Sequence, residues 1–172
     1  MAIVSESPQK RRCVVSFDRF TPVTIHVGQG LERKEFIAHE PFIARSEFFR
    51  RALNGNWPEG IERIVEMPND DPEHFRLYLS FVYTSKLPRD REPLPKDDAE
   101  WTSRYEADYM DLARIYALAE KLQDPVTKNA IVHRMFQLSS CGAFPPGKAI
   151  QIFYESTPES SRIRGLLPGY VV

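Results

Sequence analysis

Alternating apolar and polar residues predict the first strand of the chain. Val23, Ile25 and Val27 are separated by single polar residues, as in a strand that buries one of its two faces. A Gly-Gln-Gly sequence follows at 28–30, and glycine reaches the positive φ angles of tight turns without strain. We therefore predict that the chain reverses there and that a second strand pairs with the first.

Two further strands are predicted, before and after a short helical segment. Lys34–His39 would place Phe36 and Ala38 on one face and Ile37 on the other. Residues 63–67 are rich in apolar residues and are followed by a Pro-Asn-Asp turn signal. The expected sheet is therefore small and three-stranded.

Helical spacing of apolar residues dominates the rest of the chain. It predicts helices over 47–53, 72–83, 108–123 and 125–138, and a short amphipathic stripe over 149–154. An Asp-Pro pair begins two of these helices, at 71–72 and 124–125, because aspartate caps free N–H groups and proline suits the first helical position. Ser46 is a further N-cap candidate and Thr157 a weaker one. Helices that follow a hairpin and outnumber the strands predict the α+β class.

Composition divides the chain into three parts. Residues 1–20 are expected to be a flexible N-terminal segment, 21–137 a single domain, and 138–172 a C-terminal helical extension. Within the domain, residues 85–104 combine prolines with a dense mixture of charges and no periodicity, so we predict a solvated loop or insertion. The extension is expected to fold back over the last pair of helices, because Phe153 and its apolar neighbours would otherwise be exposed.

Charge and composition narrow the function classes. The hydrophobic content of 42% excludes wholesale disorder, and 23 basic against 24 acidic residues leave a net charge of −1. A near-neutral chain has no overall field that attracts nucleic acid or anionic lipid. No apolar run approaches the roughly 20 residues of a membrane span, and the two cysteines form no disulfide framework. We therefore expect an intracellular protein that binds neither nucleic acid nor membranes.

Reactive residue types occur without the spacing that catalysis or metal binding needs. Cys13, Cys141 and the four histidines include no Cys-x-x-Cys or His-x-x-x-His pair, so no metal site is expected. Cys141 and His133 lack any cue for an activated thiolate, which favours Cys141 as a small apolar filler at a helix end and His39 as a hydrogen-bonded structural residue. The Gly-Gln-Gly turn lacks the third glycine and the following helix of a phosphate site. We therefore predict no enzyme activity, no cofactor and no small-molecule substrate.

The order of strands and helices also follows a known family pattern. Phe36, His39, Ser46 and Phe49 stand in the spacing F-x-x-H-x-x-x-x-x-x-S-x-x-F, and the helix predicted over 72–83 leads into Tyr-Thr. Further matches lie at Ala38, Phe48, Phe75, Leu79 and Val82, in the strand at 64–67 and in the last helical pair. Over roughly two thirds of its length, residues 21–137, the chain resembles the BTB (POZ) domain.

The resemblance implies a cluster of helices flanked by a small three-stranded sheet, working through protein–protein contacts. Domains of this family commonly homodimerise, and many connect a cullin-type ubiquitin ligase to its substrate. The chain departs from corepressor-binding members, because Pro22 and Glu40 stand where those carry an aspartate and a basic residue. It also lacks the apolar-x-Glu motif that cullin-recruiting members often carry after the helix ending in Tyr-Thr.

We therefore expect a protein–protein interaction module. A ligase adaptor with a cullin as partner is the first hypothesis. The alternative is a homodimerising scaffold or regulatory protein without cullin binding. An enzyme with an unrecognised site is the remote alternative.

The expected partner surface combines the short helix 47–53, the loop after it and one face of the helix 108–123. Its candidate residues are Phe48, Arg51, Asn54, Trp57, Tyr109 and Tyr116. Trp57 lies in a turn-rich loop, where it either packs over an edge of the core, the interpretation we favour, or forms a contact surface.

Overall fold

The computed structural model describes residues 21–54, 57–89 and 98–167. The predictions for residues 1–20, a flexible segment that includes Cys13, lie outside the described residues, as do the centre of the proline-rich segment and residues 168–172. None of the described helices combines the length and the apolar composition that crossing a membrane requires.

The predicted three-stranded sheet is confirmed. It consists of β1 (Pro22–Val27), β2 (Lys34–His39) and β3 (Ile64–Met67) in the order β2-β1-β3. The first pair is antiparallel and the second is parallel. One face carries the buried residues Val23, Ile25, Val27, Ala38, Val65 and Met67. Ile37 lies on the opposite face, as its place in the alternation predicts, and 64% of it is exposed.

The turn between β1 and β2 requires its glycines. Gly28 and Gly30 adopt φ angles of 85° and 58°, which favour glycine over other residues. A Cβ atom at Gly28 would lie 3.1 Å from Cγ of Pro72, so the space there is also tight. A short 3-10 turn at Gly30–Glu32 completes the connection.

Eight helices are present in the described part of the chain. They are α1 (Glu40–Ile43), α2 (Glu47–Leu53), α3 (Pro58–Glu62), α4 (Pro72–Thr84), α5 (Asp98–Lys121), α6 (Pro125–Ser140), α7 (Gly147–Ser156) and α8 (Arg162–Leu166). The predictions of α2, α4 and α6 are confirmed, with α4 and α6 extending slightly beyond their predicted ends. Sequence patterns do not predict α1 or α3, because each is too short to show helical periodicity.

Aspartate caps begin α4 and α6, as predicted. The Asp71 carboxylate accepts hydrogen bonds from the backbone N–H groups of Glu73 and His74 at 2.8 and 3.0 Å. Asp124 caps α6 in the same way. The Thr157 cap is wrong: Thr157 Oγ1 donates backwards to the carbonyl of Phe153 at 2.6 Å, and α8 begins only after Ser161.

The start of α5 corrects the predicted loop. The helix begins at Asp98 rather than at 108, so residues 98–104 of the predicted insertion are helical. The prolines of that segment all lie before Asp98. Trp101 and Tyr105 then continue the apolar stripe of the helix at helical spacing, with their rings edge to face at 6.2 Å. The prolines obscure this periodicity in the sequence.

A buried polar network joins separate parts of the helical layer. The Asp124 carboxylate, fully buried, accepts hydrogen bonds from Arg45 Nε at 2.9 Å, the Tyr78 hydroxyl at 3.1 Å and Thr127 Oγ1 at 2.6 Å. Burial, and secondarily the Asp124 charge, raises the pKa of the Tyr78 hydroxyl. The network ties the segment between α1 and α2 to α4 and α6.

The C-terminal extension packs on α5. The prediction that it folds back over the last pair of helices is therefore confirmed for α5, the first helix of that pair. Phe153 of α7 is fully buried and meets the ring of Tyr116 edge to face at 5.5 Å. Arg164 of α8 donates to Thr157 Oγ1 at 3.2 Å and to the carbonyls of Tyr154 and Thr157. Division of the chain at residues 20 and 137 stays a prediction.

Candidate protein-interaction surface

The position of α2 is fixed from its N-cap. Ser46 is buried, its Oγ accepts the backbone N–H of Phe49 at 3.3 Å, and it donates to the carbonyl of Leu122 at 2.6 Å. Phe49 and Leu53 face the core. Helical geometry then turns Arg51 outward.

A short helix places Trp57 beside α2. Pro58 occupies the first turn of α3, and Arg63, at φ 60°, ends the helix in the left-handed conformation. Trp57 is 68% exposed and Ile61 is 74% exposed. The interpretation that Trp57 packs over a core edge is therefore wrong, and the alternative of a contact surface agrees with its position.

A groove of about 340 Å³ lies next to Trp57. We call it the Trp57 groove. Phe48, Ala52 and Val65 supply its apolar lining, from α2 and β3. Lys121, the last residue of α5, also lines it. The volume is at the lower end of the range for ligand pockets and suits one or two apolar side chains better than a large ligand.

Charged residues of both signs surround the Trp57 groove. Arg51 Nε donates to Glu47 at 2.8 Å, and Lys121 Nζ donates to Asp70 at 2.6 Å. Glu59 on α3 also lines the groove, and its carboxylate has no ion-pair partner in the described part of the chain. The rim can therefore contact both an acidic and a basic group of a ligand.

In the described part of the chain, the ionisable groups that line the groove are Arg51, Glu59, Glu66 and Lys121, without a serine, cysteine or histidine beside them. The described lining therefore holds no nucleophile–base pair of the serine–histidine or cysteine–histidine kind. Across residues 21–54, 57–89 and 98–167, no group of three histidine, cysteine or acidic side chains is arranged to hold a metal ion.

The structure brings three of the six predicted site residues together. Phe48, Arg51 and Trp57 all line the Trp57 groove. Asn54 is exposed directly after α2, outside the lining, with its backbone N–H bonded to the carbonyl of Arg50. The role of these four residues in binding a partner stays a prediction.

Tyr109 and Tyr116 do not belong to this surface, which corrects their predicted role. Tyr109 has no exposed area, and its hydroxyl donates to the carbonyl of Ala143 at 3.0 Å. Tyr116 is 4% exposed, and burial raises the pKa of its hydroxyl. Both are core residues because the chain after α6 covers this face of α5.

Two other predicted residues have separate outcomes. His39 is hydrogen-bonded, as expected: its backbone N–H and its Nδ1 both lie 2.8 Å from the Tyr83 hydroxyl. Cys141 does lie at the end of α6, but it is exposed and therefore fills no gap in the core.

Sequence patterns miss Ile61, the most exposed large residue near Trp57. They predict a loop over residues 53–60, which assigns no helical face to this part of the chain. The available signal is local: Trp57 is followed by proline and then by an acidic residue, which is typical of a first helical turn.

Comparison with protein families agrees with this architecture. The family model for the BTB/POZ domain matches residues 15–132. No curated protein matches the chain. Domains of this family bind protein partners and often dimerise. The α+β fold, the residue pattern and the family match agree, and the chain therefore belongs to the BTB/POZ family of protein–protein interaction modules.

Proposed function

We propose that the chain is an intracellular interaction scaffold that holds a partner protein through the Trp57 groove. One observation carries the proposal: Trp57 is 68% exposed and lines a groove that combines apolar and charged side chains. Tryptophan is enriched among the few residues that dominate binding energy at interfaces, because a large rigid ring buries much area with little loss of side-chain entropy.

The lining of the groove defines the chemistry of the partner. Phe48, Ala52 and Val65 would contact an apolar anchor side chain. Arg51 lies on one side of the anchor and can pair with an acidic residue of the partner, while Glu59 can pair with a basic one. We therefore expect the partner to present an apolar side chain flanked by charges of both signs.

Selection from a random peptide library tests this proposal directly. The full chain is immobilised, and a phage-displayed library of random peptides is selected against it. Enriched peptides are expected to carry an apolar anchor with flanking charges and to bind Trp57→Ala more than about tenfold more weakly. Tyr154→Ala, which removes a partly exposed aromatic ring from α7, is the matched control and should bind normally. Peptides that bind Trp57→Ala and the wild type equally would contradict the proposal.

An adaptor for a cullin-type ubiquitin ligase is the second candidate function. A second groove, of about 450 Å³, lies between the end of α4 and α6, next to the place where cullin-recruiting relatives carry apolar-x-Glu. Its lining includes Phe81 and Leu87 as well as Lys86 and His133. A chain with two separate grooves could hold a ligase and a substrate at the same time.

The residues after α4 favour the scaffold over the adaptor. Leu87 is buried, and two positions later stands Arg89 instead of a glutamate. The Arg89 guanidinium donates to Asp111 at 2.6 Å and to Asp108 at 3.2 Å within the chain. This arrangement offers a cullin no acidic group at the motif position.

Calorimetric titration with the N-terminal region of a cullin distinguishes the two functions. Micromolar or tighter binding that Lys86→Glu alters and Trp57→Ala leaves unchanged would support the adaptor and place the cullin on the α4–α6 groove. Absence of heat at about 100 μM of each protein, well above the concentration at which micromolar binding saturates, would leave the scaffold as the function.

A further inference from the structure

A further groove adjoins the Trp57 groove at the end of α5. It has a volume of about 430 Å³, and we call it the Arg114 groove. Lys121 lines both grooves. The chain also passes from one groove to the other after β3, because Glu66 lines the Trp57 groove and Asn69 lines the Arg114 groove. The two grooves therefore meet between the end of α5 and the turn after β3.

The Arg114 groove combines an aliphatic lining with one unpaired cation. Ala117 and Leu118 of α5 and Ile152 of α7 supply the apolar part. Arg114 is half-buried in the same lining, and no carboxylate of the described residues forms an ion pair with it. A guanidinium carries five N–H donors and keeps its charge at neutral pH, so Arg114 can bind an acidic group of a ligand.

The charged groups around Arg114 are engaged elsewhere or carry no charge. The Asp71 carboxylate accepts the backbone N–H groups at the start of α4. Asp111, three residues before Arg114 on α5, accepts a hydrogen bond from Arg89 at 2.6 Å. His74 also lines the groove, and burial lowers the pKa of its imidazole, which is therefore neutral at pH 7. Arg114 thus remains as the cation that a ligand can neutralise.

Helix geometry sets the distance between the two grooves. Arg114 lies seven residues before Lys121 on α5, which corresponds to about 10.5 Å along the helix axis. An extended peptide covers about 3.3 Å per residue, so this distance and the width of the Trp57 groove together span about three to five residues. A short peptide segment is therefore long enough to occupy both grooves.

We propose that an extended segment of the partner protein occupies both grooves, with its apolar anchor in the Trp57 groove and an aspartate or glutamate carboxylate on Arg114. The inference rests on the proposed function of the Trp57 groove and adds a determinant of specificity. This determinant is an acidic residue about three to five positions from the anchor, separate from any acidic residue that Arg51 binds beside the anchor. An arginine–carboxylate pair can form two parallel hydrogen bonds, so it selects the position of the ligand as well as its charge.

The surroundings of Arg114 favour a carboxylate over a phosphate group. Asp70 and Asp71 line the same groove, and they would repel a phosphate with nearly two negative charges more strongly than a carboxylate with one. The aliphatic lining also suits the methylene groups of an aspartate or glutamate side chain. The segment that binds is therefore an unmodified acidic peptide.

A double-mutant cycle with the peptides selected on the wild-type chain tests this inference. In each enriched peptide the acidic residue at this spacing is replaced by its amide, and calorimetry measures binding to the full chain and to Arg114→Gln. We expect each single change to weaken binding about five- to tenfold, and the two together to weaken it hardly further, because both remove the same pair. Arg162→Gln removes the same charge at an exposed position of α8 outside the groove and should leave binding unchanged.

The outcomes separate this inference from the proposed function. Peptides that need Trp57 but carry no acidic residue at this spacing would overturn the inference and leave the Trp57 groove as the partner site. The same conclusion would follow if such peptides bound Arg114→Gln as tightly as the wild type. Failure to enrich any Trp57-dependent peptide would contradict the proposed function and, with it, the inference. More than tenfold tighter binding of a peptide with phosphoserine at the acidic position would overturn the choice of a carboxylate.

Salt dependence provides a second measurement that needs no substitution in the chain. Raising the NaCl concentration from about 50 to about 500 mM should weaken binding of the acidic peptide at least about threefold more than binding of its amide version, because salt screens a partly exposed ion pair. Equal salt dependence of the two peptides would overturn the inference.

Discussion

Trp57, beside α3, is 68% exposed, whereas Tyr116, on α5, is 4% exposed. Both are large aromatic residues near apolar neighbours, and the sequence makes both of them candidates for the partner surface. The difference arises from what covers them. Phe153 of α7 packs its ring against Tyr116, while no ring in the described part of the chain contacts Trp57.

The comparison teaches that an apolar helix face is only half of an interface. The α5 face is completed by the same chain, in the helices after residue 146. The face beside Trp57 is completed by no described element, so a separate protein can complete it. In our proposal, the extension of this BTB/POZ chain stabilises the α5 face, and the α2–α3 region binds a partner.

The largest expected effect is a difference in stability between two substitutions, one at a buried ring of α2 and one at an exposed ring of α6. Phe49→Asp should unfold the domain, losing at least about 5 kcal/mol, since it removes a fully buried ring and buries an unpaired charge. Phe136→Asp, at an exposed position of α6, should change the free energy of unfolding by less than about 0.5 kcal/mol. Urea denaturation followed by circular dichroism measures both. If the Phe49→Asp variant stays folded, the assignment of α2 to the core is wrong.

The next largest effect tests the packing of α7 on α5. Phe153→Ala should lower the free energy of unfolding by about 3 kcal/mol, because it deletes the buried ring that packs on Tyr116. Tyr154→Ala changes the neighbouring, partly exposed ring and should lower it by clearly less. If the two variants lose the same free energy of unfolding, Phe153 of α7 does not cover the α5 face in the way described.

A smaller effect tests how α8 holds α7. Arg164→Ala removes the hydrogen bonds to Thr157 Oγ1 and to the carbonyls near the end of α7, and the stacking on the Tyr154 ring at 5.2 Å. We expect a loss of about 1–2 kcal/mol in thermal denaturation experiments. Arg162→Ala, at an exposed neighbouring position, should be nearly neutral, and the same loss there would argue against the contact.

The smallest expected change in stability belongs to Trp57→Ala. An exposed side chain contributes little to the folded state, so the free energy of unfolding should change by less than about 0.5 kcal/mol. A loss of several kcal/mol would mean that the ring belongs to the core. Differential scanning calorimetry of the two chains provides the comparison.

Local signals in the sequence predict most of the central fold. The caps at Asp71 and Asp124 act within three residues of the helix start, and the alternation around Ile25 needs only neighbouring positions. These features depend on short-range geometry, and the structure confirms them. The start of α5 escapes prediction because prolines before residue 98 mask the helical stripe of Trp101 and Tyr105.

The candidate site depends on information that single segments do not contain. Whether Tyr116 is covered depends on the helices after residue 146, which are far along the chain. Whether Trp57 is exposed depends on the direction of α3, whose five residues are too few for a periodic signal.

Fluorescence of Trp57 tests the central claim, that this ring lies in water and is available to a partner. Trp101→Phe leaves Trp57 as the single tryptophan, since the sequence contains two. The account predicts emission typical of a solvated indole, ready quenching by acrylamide, and protection from quenching by the peptides selected on the wild-type chain. Blue-shifted emission that acrylamide quenches poorly in the free chain would show that Trp57 is packed in the core, and would contradict the account.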